Sequence, residues 1–117
     1  MVRIDIKPLS VNDAYRGRRF ATKELTQYKY DLGYLLPAME IPSGRLAVEY
    51  VFGVSSKVAD GDNFIKAFQD CVAERYGFND RVIYEWQVFK VDVPVGKEFV
   101  EYKISTATGR YQGDGSV

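Results

Sequence analysis

The stretch Val58–Asp80, VADGDNFIKAFQDCVAERYGFND, does most to limit what this chain can fold into. Phe64, Ile65, Ala67, Phe68, Cys71 and Val72 recur at helical spacing on one face, which predicts a helix from about Phe64 to Tyr76 lying on a core. Asp62 or Asn63 is placed to cap its start, and Gly77 to stop it. Lys66 and Asp70 fall on the other side together with Asp62, each four residues from the next. Ahead of the helix, Asp60 and Asp62 flank Gly61. If the two acids end a strand, its period of two turns both to one face. Two carboxylates held together repel and lose hydration, and an oxygen-seeking divalent cation is the usual compensation. Gly61 lets the backbone approach a ligand closely or take a positive φ. Taken alone, Asp-Gly-Asp-Asn is a common string and reads first as a capped strand-to-helix turn.

The flanking segments complete an α/β (α+β) pattern in one small domain, a mixed sheet with two main helices. Val2 to Lys7 alternates apolar and charged residues as a half-buried strand does, and Pro8 ends it. Leu9 to Thr22 reads as a loop carrying Arg16, Arg18 and Arg19, with Tyr15 and Phe20 interleaved, a composition able to meet phosphates and stack on bases. The plainer alternative is a solvated loop whose aromatics fold onto the core. Thr22 caps a second helix from about Lys23 to Leu36, with Leu25, Tyr28, Leu32 and Leu35-Leu36 facing the sheet and Pro37 ending it.

Arg45 to Val58 is strand-like, with Leu46, Val48, Tyr50 and Phe52 on one face and a bulge or bend before the acidic stretch suggested by Gly53 and Ser55-Ser56. Val82 to Val93 forms a long strand with Trp86 directed to the core, and Pro94-Val95-Gly96-Lys97 a hairpin turn into a return strand from Phe99 to Ile104. From Ser105 the chain is small, polar and glycine-rich, so the folded domain is expected over 1–104 and a mobile tail over 105–117.

At 117 residues with 46% hydrophobic side chains, the chain can bury a core without staples. The single cysteine, Cys71, excludes an internal disulfide and fits a reducing cytosol. No histidine is present, so the commonest general base and the usual zinc ligand are missing. A metal site here must use carboxylates, carbonyls and water, which is Mg²⁺ or Mn²⁺ chemistry. No apolar run nears the ~20 residues of a membrane span, and no signal-peptide core opens the chain, so a soluble cytoplasmic protein is expected. The formal charge is zero, yet residues 1–30 hold seven basic and three acidic side chains, against nine and thirteen in the rest. A basic end for phosphate beside an acidic part for metal accounts for this, as does an ordinary mixed surface.

Asp60-x-Asp62-Asn63, Lys66 four residues after the second acid, and Asn79-Asp80 beyond the helix resemble the core of the RusA family of Holliday junction resolvases. Lys90 stands where that family tends to place a further lysine, and Pro8, Ser10, Asn12 and Tyr15 are similar to its opening P-x-S-x-N-x-x-Y. The resemblance covers roughly residues 4 to 104. It departs at Asn79, where the family has the first aspartate of a pair.

The resemblance implies a Mg²⁺-dependent endonuclease, with Mn²⁺ able to substitute, that cuts four-way DNA junctions by paired symmetric nicks as a homodimer. The host would be a bacterial cell and the gene phage- or prophage-borne. Asp60, Asp62 and Asp80 would hold metal, and Lys66 would steady the scissile phosphate or orient water. Asn12, Tyr15, Arg16, Arg18, Arg19, Lys66 and Lys90 would meet DNA. Asn63 would cap the helix or support the ligands, and Asp70 would pair Lys66 or support the acids from behind. The departure at Asn79 keeps open a branched-DNA-binding protein without catalysis.

One geometric tension follows. A helix of about thirteen residues separates Asp62 from Asp80 by about 20 Å, too far for one cation. Either the helix is shorter, or the next strand doubles back, or Asp80 completes the site of a partner chain.

Overall fold

The computed structural model describes residues 1–16, 20–57 and 60–111. Among the described residues six strands and three α-helices follow one another as β1 (Val2–Ile4), α1 (Val11–Ala14), β2 (Tyr15–Arg16), β3 (Phe20–Ala21), α2 (Lys23–Leu35), β4 (Leu46–Val54), α3 (Ile65–Tyr76), β5 (Ile83–Asp92) and β6 (Phe99–Thr106). The main sheet has the order β1-β6-β4-β5, and β2 pairs with β3 separately. Among the described residues only β4 and β5 run parallel, joined through α3, while β6 is antiparallel to both β4 and β1. The class is therefore α+β, a mixed four-stranded sheet with two main helices, as the sequence pattern indicates.

The alternation in β4 puts Leu46, Val48, Tyr50, Phe52 and Val54 on the buried face. Phe68 of α3 stands edge-on to Tyr50, Phe52 and Tyr102, so aromatic packing fixes this helix over the middle of the sheet. Leu25, Tyr28 and Leu32 of α2 enter the same core. The Thr22 hydroxyl caps α2 by accepting the Leu25 N–H, and Gly77 ends α3 at φ 73°, both as the sequence predicts.

Several expectations need correction. The first strand stops at Ile4, and Leu9–Thr22 is not irregular throughout. Ser10 accepts the Asp13 N–H at 3.2 Å and caps the one-turn α1, too short to leave a helical period in the sequence.

Pro94–Lys97 does form a turn, with Lys97 N–H donating to the Pro94 carbonyl and Gly96 at φ 90°. It does not close a hairpin, because β4 lies between β5 and β6 and pairs with both. Turn residues fix a local reversal, whereas the apolar faces decide which strand takes the centre of the sheet.

The expected bend falls at Ser55, just past the end of β4, while β4 stays paired at Gly53 and the register shift of the β4–β5 pair falls at Leu46/Ala47. Gly53 is small because the Phe99 ring lies over it. Trp86 is 47% exposed, not core, because β5 is the sheet's outer strand. Finally, β6 runs through Thr106, past the expected end of the return strand at Ile104. Thr108 and Gly109 are fastened to Glu85, whose carboxylate accepts both backbone N–H groups and the Thr108 hydroxyl.

Candidate metal and nucleic-acid site

β4 ends at Val54, six residues before Asp60, so Asp60 and Asp62 do not share a strand face. Asp60 is extended, and Asp62 lies in a 3₁₀ turn, Gly61–Phe64, that leads into α3. Neither carboxylate caps the turn or the helix, which corrects the capping expectation for Asp62 and Asn63. Asp60 and Asp62 are both exposed, and Asn63 is half-buried. Gly61 does not take a positive φ. A Cβ there would meet Lys90 Cβ at 3.7 Å, so the acidic turn lies directly beside β5.

Lysines surround this turn. Lys90 reaches the Lys57 carbonyl at 3.4 Å, tying β5 to the loop that leaves β4. Lys66, exposed on the first turn of α3, pairs with Asp70 at 3.4 Å, and its Nζ lies 5.7 Å from the centre of the Tyr15 ring. Asp70 is thus the partner of Lys66, one of its two expected roles. An open cleft of about 360 Å³ adjoins the turn, lined by Lys7, Asn12, Asp13, Ser55, Ser56 and Asn63 among others. Its Glu98 accepts from the Ser55 hydroxyl at 2.7 Å and from the Gly96 N–H, and chiefly the Ser55 bond holds the carboxyl below its usual range. Sequence reasoning missed Lys57, Ser55 and Glu98, which carry no spacing signal and meet here only because two loops cross the same end of β4.

Lys90 therefore abuts the acidic turn, Asn12 and Asn63 line the adjoining cleft, and Lys66 lies near Tyr15. Arg18, Arg19 and the side chain of Arg16 lie outside the described residues.

Asp80 is placed differently. It opens a second 3₁₀ turn, Asp80–Val82, just ahead of β5, where Ile83 pairs with Leu46 at the start of β4. Asp60 and Asp62 follow the other end of β4, and nine residues of strand span about 30 Å. Burial, with a further contribution from the Asp80 carboxylate, raises the Tyr50 hydroxyl far above its ordinary value. Asn79 is engaged as a cap, its Oδ1 accepting the Arg81 N–H at 3.0 Å. Among the described residues no three acidic or thiol side chains converge into a set able to hold a metal. The α3 helix has twelve residues, so a shorter helix does not remove the tension.

Asp60 and Asp62 alone suit a hard cation that keeps several waters and takes phosphate oxygens as further ligands, the way Mg²⁺ is usually held. No protein-family model matches the chain, and no curated protein matches it. No helix among the described residues is long and apolar enough to cross a membrane.

Proposed function

We propose that this chain is a Mg²⁺-dependent endodeoxyribonuclease of the RusA type that resolves four-way DNA junctions as a homodimer inside a bacterial cell carrying a phage or prophage. The observation that supports it most is the company of Asp60 and Asp62: an exposed acidic turn against Lys90, with Lys66 on the adjoining α3 and Tyr15 near Lys66. Acids alone would repel a phosphodiester, and lysines alone would bind it without chemistry.

Asp60 and Asp62 hold the ion, with Mn²⁺ as a substitute, and Asp80 completes the set from the second chain. Bound there, the ion supplies an activated water and charge relief on the phosphoryl oxygens. Lys66 and Lys90 place the scissile phosphate over the acids, Tyr15 offers a ring to an unstacked base, and Asn12 offers an amide to the backbone. The paired subunits give one cut in each of two opposed strands.

A labelled synthetic junction incubated with and without Mg²⁺ tests this. Symmetric paired nicks, lost on chelation and in Asp60→Asn, are expected, with binding that weakens steeply as salt rises. Junction binding with no cut in Mg²⁺ or Mn²⁺ would select the second reading, a branched-DNA-binding protein without catalysis, which Asn79 favours. Absence of any DNA binding at low salt would remove both.

A further inference from the structure

We propose that the open cleft between the segment following β1 and one face of α2 binds a linear aliphatic polyamine, with Tyr28 meeting its inner nitrogen. The site uses neither Asp60 nor Asp62 and does not depend on the nuclease reading.

The cleft has a volume of about 710 Å³, within the range of small-molecule sites. Ile6, Pro8 and Leu9 give it an apolar side. Four carboxylates, Asp5, Asp13, Glu24 and Asp31, stand around it against one lysine, Lys7. Arg3 pairs with Asp5 at 3.2 Å. Asp13 and Asp31 receive neutral donors, the Ser10 hydroxyl at 3.0 Å and the Gln27 amide at 2.8 Å. Among the described residues Asp13, Glu24 and Asp31 form no ion pair, so three carboxylates share the cleft without a paired counter-charge. No three of the acids converge on one point, and their spread suits an elongated cation rather than a single metal ion.

Acids alone would describe a solvated surface, and Tyr28 adds a signal of a different kind. It lines the cleft, is 5% exposed, and has a buried hydroxyl with no hydrogen-bond partner among the described residues. The Leu9 N–H, on the apolar side of the cleft, turns toward the phenol oxygen without completing a hydrogen bond, which sets that oxygen at the cleft wall. Burial raises the hydroxyl's pKa far above its ordinary value, Cys71 adds to the rise, and Leu9 opposes it. The group is therefore neutral and able to accept a donor. A buried hydroxyl left unpaired is costly, and a ligand N–H would pair it.

Spacing selects the ligand. Glu24, Tyr28 and Asp31 lie at i, i+4 and i+7 on α2, so they share a face, and the outer two are about 10 Å apart along the axis. Asp13 joins the Glu24 end, because the Thr22 hydroxyl at the head of α2 donates to the Asp13 carbonyl at 2.6 Å. An extended triamine such as spermidine sets one ammonium at each end and a secondary ammonium beside Tyr28. Its methylenes then lie along Ile6, Pro8 and Leu9, and its inner N–H donates a charge-assisted bond to the phenol oxygen. A single ammonium reaches one end only.

Isothermal titration of the full chain with spermidine, without DNA or metal, tests the site. One ligand per chain is expected, with a dissociation constant of about 100 μM or below at physiological salt. Tyr28→Phe should weaken it at least about tenfold while melting no lower than the wild type, since no hydrogen bond within the protein is lost. Glu24→Gln/Asp31→Asn should weaken it at least as much, and decides the matter should Tyr28→Phe misfold. Asp60→Asn/Asp62→Asn should leave it unchanged. No binding up to about 10 mM spermidine, or wild-type affinity in either cleft variant, overturns the proposal. Loss of binding in Asp60→Asn/Asp62→Asn overturns it by moving the polyamine to the acidic turn. A trilysine peptide that binds as tightly as spermidine overturns it by giving the cleft to the side chains of a protein partner.

Discussion

Trp86 donates its indole N–H to Gln69 Oε1 at 2.9 Å, and the Tyr50 hydroxyl donates to the same oxygen at 3.0 Å. One amide oxygen thereby ties α3 to both β4 and β5, holding the crossover helix in register over the two strands it connects. Gln69 is the only buried polar or charged residue among those described, so the position is dictated by these two donors.

Replacing that oxygen by a methyl leaves two donors unpaired, one of them on the fully buried Tyr50. Gln69→Leu should therefore cost about 2–4 kcal/mol, although leucine is the better core residue by hydrophobicity alone. Tyr50→Phe removes one donor and leaves the Trp86 bond intact, so it should cost about 1 kcal/mol. Urea denaturation of both variants separates the cases. Equal losses would mean that the shared acceptor is not what holds the helix.

Gly53 and Phe99 pair across β4 and β6, and the ring occupies the space a side chain at 53 would need. A Cβ there would come within 2.3 Å of two Phe99 ring atoms. The ring cannot simply turn away, since Arg3 stacks on it at 4.0 Å from the centroid. In a strand, glycine to alanine ordinarily gains about 0.5–1 kcal/mol. Here Gly53→Ala should instead lose about 1–3 kcal/mol through overpacking. Thermal denaturation in a Phe99→Leu background should restore the ordinary sign, because the smaller side chain vacates the site.

These contacts mark the limit of what sequence alone discloses. The α2 and α3 helices, their stripes apart from Leu35, which is exposed at the end of α2, the Thr22 cap and the Gly77 stop are written in local periodicity, and the chain folds accordingly. The alternation of β4 likewise fixes which face is buried. Strand order is not local. Nothing near Trp86 says that β5 is an edge, so a tryptophan that alternation assigns to the core is half exposed. The same gap hides the reach of Thr108 to Glu85, more than twenty residues back along the chain. At the acidic turn, spacing correctly brings out Asp60, Asp62 and Lys66 as neighbours in sequence. The length of the helix also gives the separation of Asp80, whereas the proximity of Lys90 is set by the parallel β4–α3–β5 crossover.

The Glu85 carboxylate makes the end of the described chain sensitive to acid. Its pKa lies below the usual value of 4.5, first through the Thr108 N–H, which desolvation opposes, and further through the Thr108 hydroxyl and Gly109 N–H. A group whose folded pKa is depressed contributes stability fully above its unfolded value, and loses it as pH falls through the folded one. The hold on residues 107–111 should thus be constant from neutrality to about pH 5 and slacken below the 4.5 of a free glutamate. Amide protection factors at Thr108 and Gly109 between pH 3 and pH 7 report it. Glu98 also has a depressed pKa but bonds Ser55 and Gly96 in another loop, so Glu85→Ala should abolish protection at every pH. Persistent pH dependence in that variant would assign the effect elsewhere.

If Asp80 serves the acidic turn of a second subunit, single-site variants should rescue one another in mixtures. Asp60→Asn and Asp80→Asn homodimers each lose a ligand from both sites. Nicking should fall about a thousandfold in either, equivalent to about 4 kcal/mol of transition-state stabilisation. In a heterodimer of the two, one site combines both lost ligands, while the other unites the intact Asp60 of one chain with the intact Asp80 of its partner. Random assortment makes half the dimers mixed, so about a quarter of all sites are whole, and nicking should return to about a quarter of the wild-type rate. Each mixed dimer has one working site, so the product should be a junction nicked on one strand rather than a resolved pair. Mixing Asp60→Asn with Asp62→Asn provides the contrast, since both lie on one turn of one chain and every mixed site lacks a ligand. Recovery in the first mixture and none in the second would place Asp80 across the interface. No recovery in either would return Asp80 to a structural part at the head of β5.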